Sequence, residues 1–265
     1  MNTKIAQAIS LQGFGNAFFR GMVPREMASR MVAAHSTFKN VKGVSFVRYR
    51  GNWRVLGRSF AIHDIGEWLT ILTDRGTNEI KLRICAGLPA VASESLDRVL
   101  CLEAKTRESV QIWRPSWRLA RSPGSNERIW EVDYQESSQQ QTTVPEFQVD
   151  QATRNLQEAL EKIKAFAVTH NLDAWGERFS AALASISDSD PIVPYFPDLL
   201  PETLHPTLAV RRLLSGAFTG WVFGGMGTWN DIATIDEIDK LDYQVVTNEL
   251  HTAICRAILA AANNI

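Results

Sequence analysis

Cysteine is scarce in this chain. Cys85, Cys101 and Cys255 are its only three, an odd number with no C-x-x-C spacing. That argues against a disulfide framework or a thiolate metal site. Cys85 and Cys101 fall in apolar, strand-like runs and Cys255 in a helical pattern, so three buried free thiols are expected. Free thiols in turn point to a reducing, cytoplasmic compartment. Long apolar runs are missing too. No segment approaches the ~20 residues of a membrane span. The N-terminal stretch is amphipathic, because Gln7, Ser10, Gln12 and Asn16 interrupt what would be a signal-peptide core. Neither secretion nor membrane insertion is expected. Charge of one sign is also absent: 28 basic and 29 acidic residues leave a net charge of −1. Nucleic acid or an anionic membrane is therefore not expected as a partner through a broad electrostatic footprint.

What the sequence does contain is ordinary for a globular protein: 265 residues, 45% hydrophobic and 22% charged. The length suits one large domain or two small ones. Apolar spacing predicts two helices before Phe38, the first ended by Gly21 and the second opened near Pro24, with Met27, Met31, Ala34 and Phe38 as its buried stripe. Val44–Arg50 alternates apolar and polar residues, Gly51-Asn52 is a turn signal, and Trp53–Leu56 resumes an extended pattern. Together they read as a β-hairpin with Arg48, Arg50 and Arg54 on its exposed face. A short helix is predicted over Ile65–Thr73, capped by Asp64 and closed at Arg75-Gly76. Strand-like runs follow at Glu79–Ala86, Arg98–Ala104, Ser109–Trp113 and Ile129–Tyr134. The polar stretch Glu136–Glu146 reads as a linker. Beyond it the pattern is helical, interrupted by a loop holding Pro191, Pro194 and Pro197. The expected class is α+β: N-terminal helices and an antiparallel sheet in residues 1–135, a linker at 136–146, and a helical region over 147–265.

The search for catalytic chemistry is largely negative. No G-x-S-x-G elbow and no phosphate-cradling glycine loop is present. Glu103-Ala104-Lys105, with Asp97 or Asp74, resembles the PD-(D/E)-x-K nucleases, in which the acids hold a divalent metal and the lysine assists the attacking water. An E-x-K at a strand end is also common as solvated charge. Arg30 and His35 have the Arg-x4-His spacing of HEPN ribonucleases, although a histidine near a helix C-terminus is the plainer reading. His63 and Glu67, four apart, fit one helix face, but no third ligand is suitably spaced, so no metal and no cofactor is expected. Trp113, Trp117 and Trp130, interleaved with Arg114, Arg118, Arg121 and Arg128, suit a protein or single-strand nucleic-acid surface. They suit one sheet face with cation–π pairs better.

The densest signal is Trp221-Val222-Phe223-Gly224-Gly225-Met226-Gly227-Thr228-Trp229-Asn230-Asp231. Glycines so closely spaced serve tight backbone turns, and tryptophans supply large apolar area. One reading is a packed corner between helices. The other is a binding anchor formed by Trp221, Met226 and Trp229, with Asn230 and Asp231 as polar contacts. The string, followed by a helix ending in A-I-x-x-A-A-N-N, resembles the C-terminal signature of uncharacterised bacterial proteins associated with toxin-immunity neighbourhoods. The resemblance implies no catalytic residues. It favours a cytoplasmic, non-enzymatic protein that binds another protein, such as a toxin, and occludes it stoichiometrically. A metal-dependent nuclease centred on Glu103 and Lys105 is the alternative.

Overall fold

The computed structural model describes residues 3–49, 59–85, 96, 100–107, 109–121, 128–137, 146–224, 227–232 and 239–265. Its sheet has six strands: β1 (Val41–Tyr49), β2 (Ser59–Ile62), β3 (Ile80–Ile84), β4 (Leu100–Lys105), β5 (Val110–Leu119) and β6 (Trp130–Ser137). They lie in the order β2-β1-β6-β5-β4-β3. The expected α+β class is what the structure shows, with one difference. The sheet is mixed rather than antiparallel, because β1 runs parallel to β6 while all other neighbours are antiparallel. No local pattern announces that pairing, since the two strands are joined by the whole of β2 to β5.

Eight α-helices accompany the sheet among the described residues: α1 (Thr3–Phe19), α2 (Arg25–Ser29), α3 (Met31–Ala34), α4 (Ile65–Asp74), α5 (Val149–Thr169), α6 (Asp173–Ser187), α7 (Leu208–Thr219) and α8 (Lys240–Ala262). Their ends follow local chemistry. Gly21 at φ 72° closes α1 with Gly21 N–H to Phe18 and Met22 N–H to Ala17, the bonding of a Schellman cap. The Asp64 carboxylate caps α4 by accepting from the Glu67 N–H at 2.7 Å. The second predicted helix is broken in two at Arg30, and Met27 and Ala34 of its expected stripe are exposed while Met31 and Phe38 are buried. The Gly51-Asn52 turn, the Trp53–Leu56 strand, Arg50 and Arg54 lie outside the described residues. β2 begins at Ser59, and Arg48 is half-buried against Glu136.

Helix α1 sits in the middle of the molecule. Residues 5–17 are buried on every side, as expected of a helix covered all round. Its four interrupting polar residues each fix a different neighbour. Gln7 accepts from the Tyr134 hydroxyl of β6 at 3.2 Å, and Ser10 donates to the Leu199 carbonyl at 2.8 Å. Gln12 donates to the Ala262 carbonyl at the end of α8 at 2.9 Å, and Asn16 bonds the backbone of Ile80. Glycine lets α1 approach β3 closely: a Cβ on Gly15 would stand 2.7 Å from Ile80 Cδ1. On one sheet face Phe46 stacks with Tyr134 and with Trp68 of α4, and Trp113 meets Phe46 and Trp68 edge-on. One continuous cluster of buried side chains runs from this face through α1 to α5–α8. Of the candidate linker, residues 138–145 lie outside the described residues, and 136–137 end β6.

Cys85 and Cys101 form a disulfide, and Cys255 alone is free. This corrects the expectation of three free thiols. Arg83 pairs with Cys101 across β3 and β4, so Cys85, just past the end of the ladder, falls diagonally opposite Cys101. The inference to a reducing compartment loses its ground. No helix among the described residues is long and apolar enough to cross a membrane.

Candidate functional site: a pinned proline loop beside an apolar groove

The glycine–tryptophan corner faces inward. Trp229 is 0% exposed, and its Nε1–H donates to Thr247 of α8 at 2.8 Å. Its ring meets Trp175, Phe179 and Tyr243 at centroid distances of 5.5, 5.2 and 5.4 Å. Trp221 is buried too, donating to the Phe223 carbonyl at 2.7 Å. An exposed aromatic anchor at Trp221 and Trp229 is therefore corrected to a packed corner, whose glycine at 227 takes φ 79°. The reason is geometric: the segment turns back so that Trp229 N–H bonds the Val222 carbonyl at 3.2 Å, which folds both indoles toward the helices. Asn230 and Asp231 are exposed in a 3-10 turn. Met226 lies outside the described residues.

The other candidates resolve as follows. The Glu103 carboxylate receives both Nε and Nη2 of Arg83, at 3.1 and 3.2 Å. Lys105 is exposed, Asp74 is the last residue of α4, and Asp97 lies outside the described residues. His63 precedes the cap of α4 and shares no helix face with Glu67. Among the described residues, no group of three or more His, Cys, Asp or Glu side chains is placed to hold a metal ion. Trp113 is in the core. Trp117 and Trp130 meet edge-on at 6.2 Å, with Lys4 of α1 5.6 Å above Trp117. That is a sheet face with a cation–π pair, the cation coming from α1 rather than from the neighbouring arginines.

A different place gathers surface chemistry. Between α6 and α7 the chain runs through Pro191, Pro194 and Pro197, and hydrogen bonds hold it along its length. Arg212 donates to the Ser187 and Asp188 carbonyls, and Arg211 pairs with Asp190 at 3.2 Å. Ser215 donates to the Ile192 carbonyl at 2.7 Å, and Ser10 reaches Leu199. Phe196 and Leu199 are buried anchors. Between these pins Ile192 is 71% exposed and Tyr195 66% exposed. Tyr195 holds φ 73°, a left-handed conformation unusual for a bulky residue and costing on the order of 1–3 kcal/mol.

Through Asp198 the same loop borders a groove of about 470 Å³, lined otherwise by Phe14, His35 and residues of the α2–α3 segment, Glu26, Met27, Arg30 and Met31 among them. His35, Asp198 and Ser36 look like a catalytic set, but their bonds give them other work. The His35 Nε2–H donates to the Asp198 carbonyl at 2.5 Å, and Nδ1 accepts from the Thr37 N–H at 3.2 Å. Ser36 donates its N–H to one Asp198 oxygen at 2.8 Å and its hydroxyl to the other. Burial lowers the His35 pKa below its ordinary value of 6.5, opposed by the nearby Asp198. Burial pushes the Asp198 carboxyl up, but the Ser36 bonds and His35 outweigh it and the net shift is downward. Both ring nitrogens are thus engaged, leaving no general base toward Ser36. The trio clasps the proline loop to the segment after α3. This also disposes of the Arg30/His35 ribonuclease reading. Sequence reasoning marked the proline loop only as a loop, since neither the exposure of Tyr195 nor its backbone angle follows from residue order. Compared in turn with protein-family models, curated proteins and solved structures, the chain matches none of them.

Proposed function

We propose that this chain acts by binding another protein and occluding it stoichiometrically, toxin neutralisation being the concrete version. The observation that carries the reading is Tyr195: a large, exposed aromatic held in a strained conformation by a loop pinned on both sides, whose Asp198 lines an apolar groove. Tyrosine offers broad contact area at low entropic cost, and a loop already fixed in place avoids the ordering cost of association. The groove that Asp198 lines combines apolar side chains with a few charged ones, a composition that suits an interface. The resemblance of the 221–231 segment to immunity-associated proteins supports the toxin version. The binding surface moves from the packed corner to the loop, with exposed Asn230 and Asp231 left as separate polar contacts to test.

Affinity capture from native-host lysate with mass spectrometry, comparing wild type with Tyr195→Gly, tests this. The expected result is one stoichiometric partner, bound at least about tenfold more weakly by the variant, whose growth inhibition is relieved by co-expressed wild type. A partner held equally by both would remove the loop assignment, and the absence of any partner would remove the binding reading.

A further inference from the structure

We propose that the end of the β5–β6 hairpin docks on an anionic phospholipid membrane surface. The site is separate from the Tyr195 loop, and the proposal goes beyond the protein-binding reading. Among the described residues, β4 pairs with β5 only as far as Trp113, and residues 114–119 are held by β6 alone. At the end of this hairpin Leu119 is 63% exposed, and Ile129, whose carbonyl accepts from the Ala120 N–H, is 38% exposed. Leu119 shares the sheet face of Trp117 and lies opposite Trp130. Both tryptophans are half-buried, packed on the core and edge-on to each other at 6.2 Å. Two exposed aliphatic side chains flanked by two anchored indoles therefore form one narrow apolar edge.

Cations surround that edge. Arg118 and Arg121 flank Leu119 in sequence, and both are exposed. Lys42 is exposed in the bulge where β1 meets Trp130 and Glu131. Lys39 is exposed next to Asn40, whose carbonyl accepts from the Ile129 and Trp130 N–H groups at 3.1 Å. Lys4 of α1 holds its ammonium 5.6 Å from the Trp117 ring centroid. Arg128 precedes Ile129 and donates to the Val32 and Ala33 carbonyls. Against these six cations stand Glu131 and Asp133, both bonded by Arg118. Counting also Asp64 and Asp198, which Ser29 and Ser36 hold, leaves the balance positive. The chain as a whole carries −1, so this excess is local.

The chemistry of the edge selects lipid as the occupant. A positive excess draws an anionic bilayer surface, each basic residue adding to the attraction. Indoles and lysine side chains settle at headgroup depth, and a few aliphatic side chains seat shallowly beneath them. A single-stranded nucleic acid calls for open aromatic faces on which bases stack. Here the most exposed apolar side chains are aliphatic, and Lys4 already stands over Trp117. A stable protein interface calls for a broader apolar centre than two side chains. Surface docking of this kind needs no membrane-spanning helix, and none of the described helices is one.

The test sediments the full chain with vesicles of phosphatidylglycerol mixed equally with phosphatidylcholine, and with vesicles of phosphatidylcholine alone. Binding to the anionic vesicles is expected to be at least about tenfold stronger, and to weaken as salt is raised. Lys39→Glu and Arg121→Glu each reverse an exposed charge and are expected to weaken it about tenfold. Leu119→Asn removes the most exposed apolar contact and is expected to weaken it about fivefold. Thermal melts of the three variants, expected to match wild type, separate lost docking from lost fold. No sedimentation with the anionic vesicles overturns the proposal, as does equal binding to phosphatidylcholine alone. Vesicle binding that ignores all three substitutions places the contact elsewhere and equally overturns it. Binding of fluorescein-labelled oligouridine that Arg121→Glu abolishes, without vesicle binding, makes the edge a nucleic-acid surface and overturns it too. None of these outcomes touches partner capture through Tyr195.

Discussion

The Asn16 side-chain amide and the Ile80 backbone exchange two hydrogen bonds, Ile80 N–H to Oδ1 at 2.7 Å and Nδ2–H to the Ile80 carbonyl at 3.0 Å. Two residues on, Asn263 treats Leu82 the same way, at 2.8 and 3.0 Å. Ile80 and Leu82 belong to β3, an outer strand of the sheet. Their outward-facing backbone groups are those that an added strand would seek, and two carboxamides take its place. Asn16→Ala would orphan a buried donor and acceptor together, with an expected loss of about 3 kcal/mol. Urea denaturation measures it, and a loss under 1 kcal/mol would mean that water substitutes freely at this edge.

The His35 clasp sets a pH dependence. Burial holds the folded imidazole below 6.5, whereas the unfolded chain binds its proton near 6.5. Between those two values the unfolded state carries more protons, so stability rises with pH there. The contribution is full above 6.5 and is lost as pH falls from there toward the folded value. The physical cause is burial, which penalises the charged imidazolium more than the nearby Asp198 carboxylate and carbonyl favour it. The melting temperature of wild type is expected to drop between pH of about 7.5 and 5.5. His35→Asn should start lower and flatten that slope. An unchanged slope would assign the dependence to another group.

Trp229 is a stability residue. Trp229→Ala empties a fully buried site and is expected to cost about 4 kcal/mol. Trp229→Phe keeps most of the packing but removes the bond to the Thr247 hydroxyl, which keeps its bond to Tyr243, for about 1 kcal/mol. Thermal melts of both would show it. If Trp229→Ala melts like wild type, the packed corner is wrong.

The Cys85–Cys101 bond spans a sequence separation of 16, a loop whose closure is worth about 3 kcal/mol in the unfolded-chain picture. Reduction is expected to lower the melting temperature, and Cys101→Ser to abolish that sensitivity. Maleimide labelling of the unfolded chain should count one thiol before reduction and three after. The lone thiol, Cys255, has its pKa raised by burial to about 12, and in the folded protein it should stay unlabelled at neutral pH.

Tyr195→Gly separates stability from function. Glycine accepts φ 73° without the steric cost that tyrosine bears there. With the side chain mostly exposed, little packing is lost. The variant is expected to be as stable as wild type or more so by about 1 kcal/mol, while partner capture falls. A destabilised variant would show that the tyrosine ring supports the loop.

Much of this protein was legible in residue order. Period and caps located α1, α4 and the C-terminal helices, because Gly21, Asp64 and Arg75-Gly76 act on their own neighbours within a turn. The strands from β3 to β6 were visible as apolar runs for the same local reason. Tertiary structure alone decided what sequence separation hides. The parallel pairing of β1 with β6 depends on chain path, and the Cys85–Cys101 bond on the register of two strands. Gln7, Ser10, Gln12 and Asn16 read as polar interruptions of a helix, yet each is buried on a partner 64 to 250 positions away. The site followed the same division. Density of glycine and tryptophan drew attention to 221–231, where composition is the same whether indoles face in or out. Which way they face is set by Thr247, Phe179 and Tyr243 on other helices. The exposure of Tyr195 likewise exists only because Ser10, Ser36 and Ser215, from three distant segments, hold its loop in place.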